Sequence, residues 1–163
     1  MSLTIRTLIS SASVVIGLAL APWAVQAQDH HIVMPPDQVK FGPAPPALPA
    51  GAKIAVLQGD PSAAGPVVLR LAFPANFVVP PHWHTNAERL TVISGTLYVG
   101  AGDTVDRQGS AALAAGGFAY LPGKMHHYAW TKAEAVVQIN LEGPFDIFYI
   151  NPTDDPRKAP GTR

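Results

Sequence analysis

All six histidines of this 163-residue chain stand in close pairs: His30-His31, His82-Trp83-His84 and His126-His127. Random placement rarely gives that. His82 and His84 are two residues apart, so on a strand their side chains project to one face. Glu88 lies four residues further on, and Thr85-Asn86-Ala87 can turn the chain and bring the carboxylate back beside the two imidazoles. Imidazole with carboxylate is a ligand set for Fe(II), Mn(II), Ni(II), Zn(II) or Cu(II). A buried histidine is more often satisfied by a hydrogen bond than by a metal, so the pattern needs a scaffold that makes these groups converge. The chain has no cysteine, which excludes disulfides, zinc–thiolate sites and cysteine nucleophiles.

The elements that must position these residues read as strands. Lys53–Leu57, Val67–Phe73, Phe77–Val79, Arg89–Ile93, Thr96–Val99, Phe118–Leu121, Tyr128–Thr131, Val136–Leu141 and Phe145–Ile150 are short and rich in β-branched and aromatic residues. Gly, Pro, Asp or Asn bounds each of them. Val67, Leu69, Leu71 and Phe73 alternate with Val68, Arg70 and Ala72, the period of a strand. One helical turn is expected, within Asp103–Ala115. Many short strands at near-regular spacing indicate an all-β sandwich or closed barrel.

His82-x-His84-x-x-x-Glu88, with Gly95 following where the next strand pair must turn, resembles the first motif of the cupin superfamily. Gly116, Pro122 and His127 resemble the second. The resemblance spans roughly Pro66 to Ile150. It implies a jelly-roll (double-stranded β-helix) barrel holding one divalent metal ion on His82, His84, Glu88 and His127. The chain departs from the pattern at three places. Asn76 replaces the opening glycine, although asparagine tolerates a left-handed backbone. Lys124 stands where the second motif has glycine, with Gly123 one place early. Counting from Pro122 selects His127 as the fourth ligand and counting from Gly123 selects His126. Thr131 replaces a common asparagine.

Three imidazoles and one carboxylate leave two open positions on an octahedral ion. On this resemblance the chain is a metal-binding protein, an oxidoreductase or dioxygenase acting on a small, oxygen-rich substrate. The alternative is a non-catalytic sensor or carrier of a small molecule or metal, because no further acid, base or nucleophile is evident. Tyr120, Gln138 and Asn140 either point into the barrel and contact a substrate, or sit in the core or at an edge. Trp83, Tyr128 and Trp130 are out of phase with the ligating histidines and are expected on the outer face. With the habit of cupins to pair their barrels, they suggest a homodimer. Asp103, Asp106 and Arg107 read as solvated loop charges.

Residues 1–27 read as a secretory signal peptide: Arg6, the apolar stretch Leu8–Ala21, helix-breaking Pro22, and Val25-Gln26-Ala27 at the cleavage position. The apolar stretch is short for a membrane anchor, which needs about 20 residues. A periplasmic or secreted mature chain follows, with no membrane partner after cleavage. Lysine plus arginine balance aspartate plus glutamate at 11 each, so nothing in the charge points to nucleic acid. The proline-rich segment 28–51 is expected to be an extended arm, not a strand or helix, that either lies across the barrel or is mobile, with 52–151 the barrel and 152–163 a loose tail. Cleavage after Ala27 would also start the chain at Gln28-Asp29-His30, whose amine, amides and imidazole suit square-planar Cu(II) or Ni(II).

Overall fold

The computed structural model describes residues 31–158. The expected signal peptide, the Gln28-Asp29-His30 copper motif and residues 159–163 of the tail lie outside the described residues. Among the described residues no helix is long and apolar enough to cross a membrane.

In chain order the strands are β1 (Gly42–Pro43), β2 (Lys53–Gln58), β3 (Gly65–Phe73), β4 (Val78–Trp83), β5 (Glu88–Ser94) and β6 (Thr96–Ala101). They continue as β7 (Ala111–Ala114), β8 (Phe118–Leu121), β9 (His127–Trp130), β10 (Ala135–Gly143) and β11 (Phe148–Tyr149). Two antiparallel sheets face each other, one in the order β1-β2-β3-β10-β5-β8 and the other β11-β4-β9-β6-β7. This is the jelly-roll arrangement. The alternation read in β3 holds: Val67, Leu69, Leu71 and Phe73 are buried, and they meet Val137, Ile139 and Leu141 of β10 on the same inner face. Burying such a side chain stabilises by roughly 1.5–3 kcal/mol, which makes this alternation the main force fixing the register.

β4 is the element that decides the site. The expected strand stopped at Val79, ahead of Pro80-Pro81, but the strand runs through both prolines to Trp83. The pairing with β9 passes from Val79↔Ala129 to His82↔His127, so one extra residue is bulged out between them. Proline lacks the N–H that a regular ladder requires, and a bulge is where a strand accommodates it. The bulge also resets the alternation. Phe77 and Val79 face inward ahead of it, and His82 and His84 face inward after it. Without the extra residue both histidines would fall on the outer face.

Several expectations are corrected. No helical turn forms within Asp103–Ala115; residues 111–114 pair with Thr96–Val99 as β7. Alanine favours helix, but cross-strand pairing outweighs so short a local preference. The proline-rich arm is not merely extended. It contributes β1, paired with Ile54 and Lys53, and buries Leu48 in the core. The Tyr149 hydroxyl donates to the Ala47 carbonyl at 2.8 Å and pins the arm there. The tail is also tied down as far as it is described: the Arg157 guanidinium pairs with Asp155 and donates to the Ile147 carbonyl at 3.0 Å.

Tyr128 and Trp130 lie on the outer side of β9, as their phase requires, yet both are buried. The chain between β6 and β7 covers them. The Tyr128 hydroxyl donates to the Asp106 carbonyl and accepts from its amide, Trp130 donates to Ser110, and the Arg107 guanidinium lies 4.7 Å from the Trp130 ring. These aromatics therefore offer no surface to a second copy. Asp106 covers Tyr128 through its backbone and Arg107 lies over Trp130, while Asp103, Asp106 and Arg107 all stay exposed, as expected of solvated loop charges.

Candidate metal centre

Three imidazoles come from one sheet and one carboxylate from the other. His82 lies in β4, His84 just beyond its end, and His127 opens β9 directly opposite His82. One ring nitrogen from each of these histidines lies within 4.8 Å of the other two. Glu88 opens β5 in the facing sheet. Its carboxylate lies 3.5 Å from His84 Nε2 and 3.9 Å from His127 Nε2. It therefore flanks the trio on that side. Ligand atoms bonded to one ion at about 2.0–2.2 Å sit roughly 3–4 Å apart; the two Glu88 distances fall in that range, while the group whose atoms all lie within 4.8 Å of one another is the histidine trio alone.

Backbone carbonyls orient the rings. His82 Nδ1 bonds to the Pro80 carbonyl at 2.6 Å, His127 Nδ1 to the Met125 carbonyl at 2.9 Å, and His84 Nδ1 to the Asp146 carbonyl. A carbonyl only accepts, so each Nδ1 carries the proton and each Nε2 keeps its lone pair free. A second partner of this kind is what fixes the tautomer of a metal-ligating histidine. The turn that returns Glu88 is held too. The Thr85 amide donates to the Asp146 carboxylate and the Asn86 side chain to the Glu142 carbonyl, both at 2.8 Å.

The charge states suit metal uptake. Burial pushes all three imidazoles below their ordinary range. In His82 the neighbouring His127 and His84 add to the effect, and the hydrogen bonds to backbone carbonyls oppose it in each ring. They are therefore neutral, as ligands must be. Burial raises Glu88 to about 7, with Asp146 adding to the rise and His127 opposing it.

The four groups open on a cavity of about 40 Å³ whose remaining lining is entirely hydrocarbon, from residues such as Leu48, Phe73, Val79, Leu97, Val137 and Phe145. Phe145 stacks on the His84 ring at 5.6 Å. The expectation that Tyr120, Gln138 and Asn140 contact a ligand is corrected. β8 turns Leu121 inward, which leaves Tyr120 54 % exposed, with the Arg89 guanidinium 5.5 Å from its ring. β10 turns Val137, Ile139 and Leu141 inward, so Gln138 faces out to accept from Arg70 at 3.1 Å, with Asn140 beside it.

The choice between His126 and His127 is resolved by the backbone. Lys124 adopts φ 64°, the left-handed conformation that glycine would take with less strain. It thus fills the glycine position of the motif, and counting runs from Pro122. His127 turns inward, while His126 is exposed and meets Asp103 at 2.6 Å. Asn76 is likewise left-handed, at φ 58°.

Sequence reading missed the Pro80, Met125 and Asp146 carbonyls, which leave no signal in side-chain type. It also missed Leu48 and Phe145 as walls of the cavity. The Pro80-Pro81 pair was a usable signal, since two prolines beside a strand pattern imply a bulge.

Residues 61–143 match the family model for cupins. No curated protein matches the chain. Among solved structures, the polyketide cyclase RemF from Streptomyces resistomycificus aligns with a TM-score of 0.64 at 17 % identity, over 78 % of this chain and 90 % of that one. A provisionally assigned acetylacetone dioxygenase from Methylibium petroleiphilum PM1 aligns with a TM-score of 0.61 at 18 % identity, over 81 % and 89 %. An RmlC-like cupin from Shewanella frigidimarina aligns with a TM-score of 0.53 at 16 % identity, over 69 % and 90 %. At these identities the likeness is one of fold. The family match, the two-sheet jelly roll and the inward-facing histidine trio together establish that this chain belongs to the cupin family.

Proposed function

We propose that the chain is a metal-dependent oxygenase-type cupin, with His82, His84, Glu88 and His127 holding one divalent ion, and that it is exported. The observation that carries this reading is the set of three imidazoles, each committed by its Nδ1 to a backbone carbonyl, with free Nε2 atoms beside a buried carboxylate. A redox-active divalent ion such as Fe(II) bound there would supply open positions for a substrate and dioxygen, Lewis-acid polarisation of the substrate and the electrons that activate dioxygen. The chain contributes the rest. The hydrocarbon walls exclude water, the carbonyl-held imidazoles keep the ligand geometry fixed, and Glu88, itself a ligand, is the one carboxylate among the described lining residues able to accept a proton.

A cavity with no other acid or base suits a reaction that draws no net proton from the protein, as insertion of both oxygen atoms of O₂ does. Cyclase or lyase chemistry would need further proton carriers. The same shortage favours the second reading, a carrier or sensor without turnover. Export rests on the character of residues 1–27. Homodimerisation stays part of the proposal, with the exposed Phe118 and Tyr120 on the outer face of the six-stranded sheet as its support in place of Tyr128 and Trp130. The test is oxygen consumption by the Fe(II)-loaded protein against a panel of small acids, thiols and phenols. Uptake with at least one class, absent in His82→Ala, is expected. Full metal loading with no uptake across the panel would leave the carrier reading standing.

A further inference from the structure

The oxygen-rich substrate implied by the family resemblance does not fit the walls of this cavity. Among the described residues, the cavity presents only carbon side chains besides His82, His84, His127 and Glu88, and none of its lining is arginine or lysine. The three imidazoles are neutral, and an ion held with Glu88 as carboxylate would carry one net positive charge. In a hydrocarbon surround an uncompensated charge is strongly unfavourable. One further negative charge brings the centre to neutrality; two overshoot it, with no cation lining the cavity to compensate. The Asp146 carboxylate, fixed on the Thr85 amide beside His84, adds to the penalty for a dianion.

Hydroxyl groups also find no partner. Sugar-like substrates need several fixed donors and acceptors, and a polar group buried without one loses its hydration for nothing in return. The volume of about 40 Å³ exceeds the roughly 10–15 Å³ needed by a single water but admits only a few heavy atoms.

We infer that the cavity selects a small monoanionic chelator, with two oxygen donors at one end and a short hydrocarbon body at the other, and rejects dianions and polyols. The inference rests on the metal-centre reading and adds the substrate class. Val99 pairs with Ala129, two residues along β9 from His127, and Val137 pairs with Val92, four residues along β5 from Glu88, so both line the cavity away from the chelating end.

Calorimetric titration of the Ni(II)-loaded full-length protein tests it, with formo-, aceto- and propanohydroxamate, which chelate as monoanions, as probes short enough for the cavity, and oxalate and malonate as dianions. Each affinity is referred to that of the same probe for Ni(II) in water. Affinity is expected to rise about fourfold per added methylene, the gain for burying one CH₂ group. Oxalate and malonate are expected to bind at least tenfold more weakly than acetohydroxamate. Val99→Thr places a hydroxyl in the cavity and should flatten the chain-length gain while nickel stoichiometry holds. Val137→Thr provides the same test from the other sheet should the first variant fold poorly. No chain-length gain, or dianions favoured on nickel-loaded protein, overturns the inference and leaves the metal centre intact. Failure to bind nickel stoichiometrically overturns both.

Discussion

Replacing Glu88 with glutamine should stabilise the metal-free protein in a pH-dependent way. Glu88 is fully buried and its pKa rises from 4.5 to about 7. The folded state therefore holds its proton more tightly than the unfolded chain. Stability from this group is fully present below about pH 4.5 and is lost as pH rises through 7. At about 1.4 kcal/mol per pH unit, the loss between pH 5 and pH 8 is about 2.5 kcal/mol for the pKa of about 7. Glutamine cannot ionise and loses none of it. The buried histidines weaken the fold as pH falls in both proteins; losing the Glu88 charge lowers His127 further in the variant, which costs it stability only toward acid pH and so enlarges the expected difference. Urea unfolding in the presence of a chelator measures the difference. With a slope of about 2 kcal/mol per molar, the midpoint gain of Glu88→Gln over the parent should be more than 1 M larger at pH 8 than at pH 5. An equal gain at both pH values, or a larger one at pH 5, would refute the assignment of Glu88 as a buried carboxylate held out of water. The same variant should bind metal more weakly at pH 8, since it removes the only anionic ligand.

Lys124→Gly should stabilise the protein by about 1 kcal/mol, because it removes the left-handed strain of a side-chain-bearing residue; thermal unfolding checks this, and a loss of stability would contradict it. Gly100→Ala should destabilise by about 1–3 kcal/mol, since a methyl group there would collide with the buried Tyr128 ring; an unchanged urea midpoint would show that the ring has room to move. His126→Ala should retain one metal ion per chain and His127→Ala should lose it, measured by elemental analysis after desalting; the reverse would shift the register of the second motif by one residue.

The class of fold was legible because the inward positions of β3 and β10 carry their apolar residues at a strict period of two. The trio of histidines was legible because spacing on a strand determines facing. What spacing could not give was the phase of His82 and His84 relative to Phe77 and Val79, which depends on the Pro80–Pro81 bulge. Phase also misled the reading of Tyr120, Gln138 and Asn140: polar character suggested a ligand contact, while alternation in β8 and β10 sends all three outward. Tyr128 and Trp130 were placed on the correct side of β9, but their burial depends on the segment between β6 and β7 folding back over them. Contacts of that range leave no local pattern. Leu48 was hidden for a similar reason, in an arm whose prolines argued against regular structure and left docking across the barrel and mobility equally open.

The central claim is that His82, His84 and His127, with Glu88 beside them, hold one metal ion inside the barrel. X-ray absorption spectroscopy on protein loaded with a single divalent metal tests it most directly. The account predicts one ion per chain, with three imidazole nitrogens and a carboxylate oxygen at about 2.0–2.2 Å, and loss of the imidazole scattering in His82→Ala. A shell of oxygen ligands alone, or substoichiometric metal in the parent protein, would contradict it.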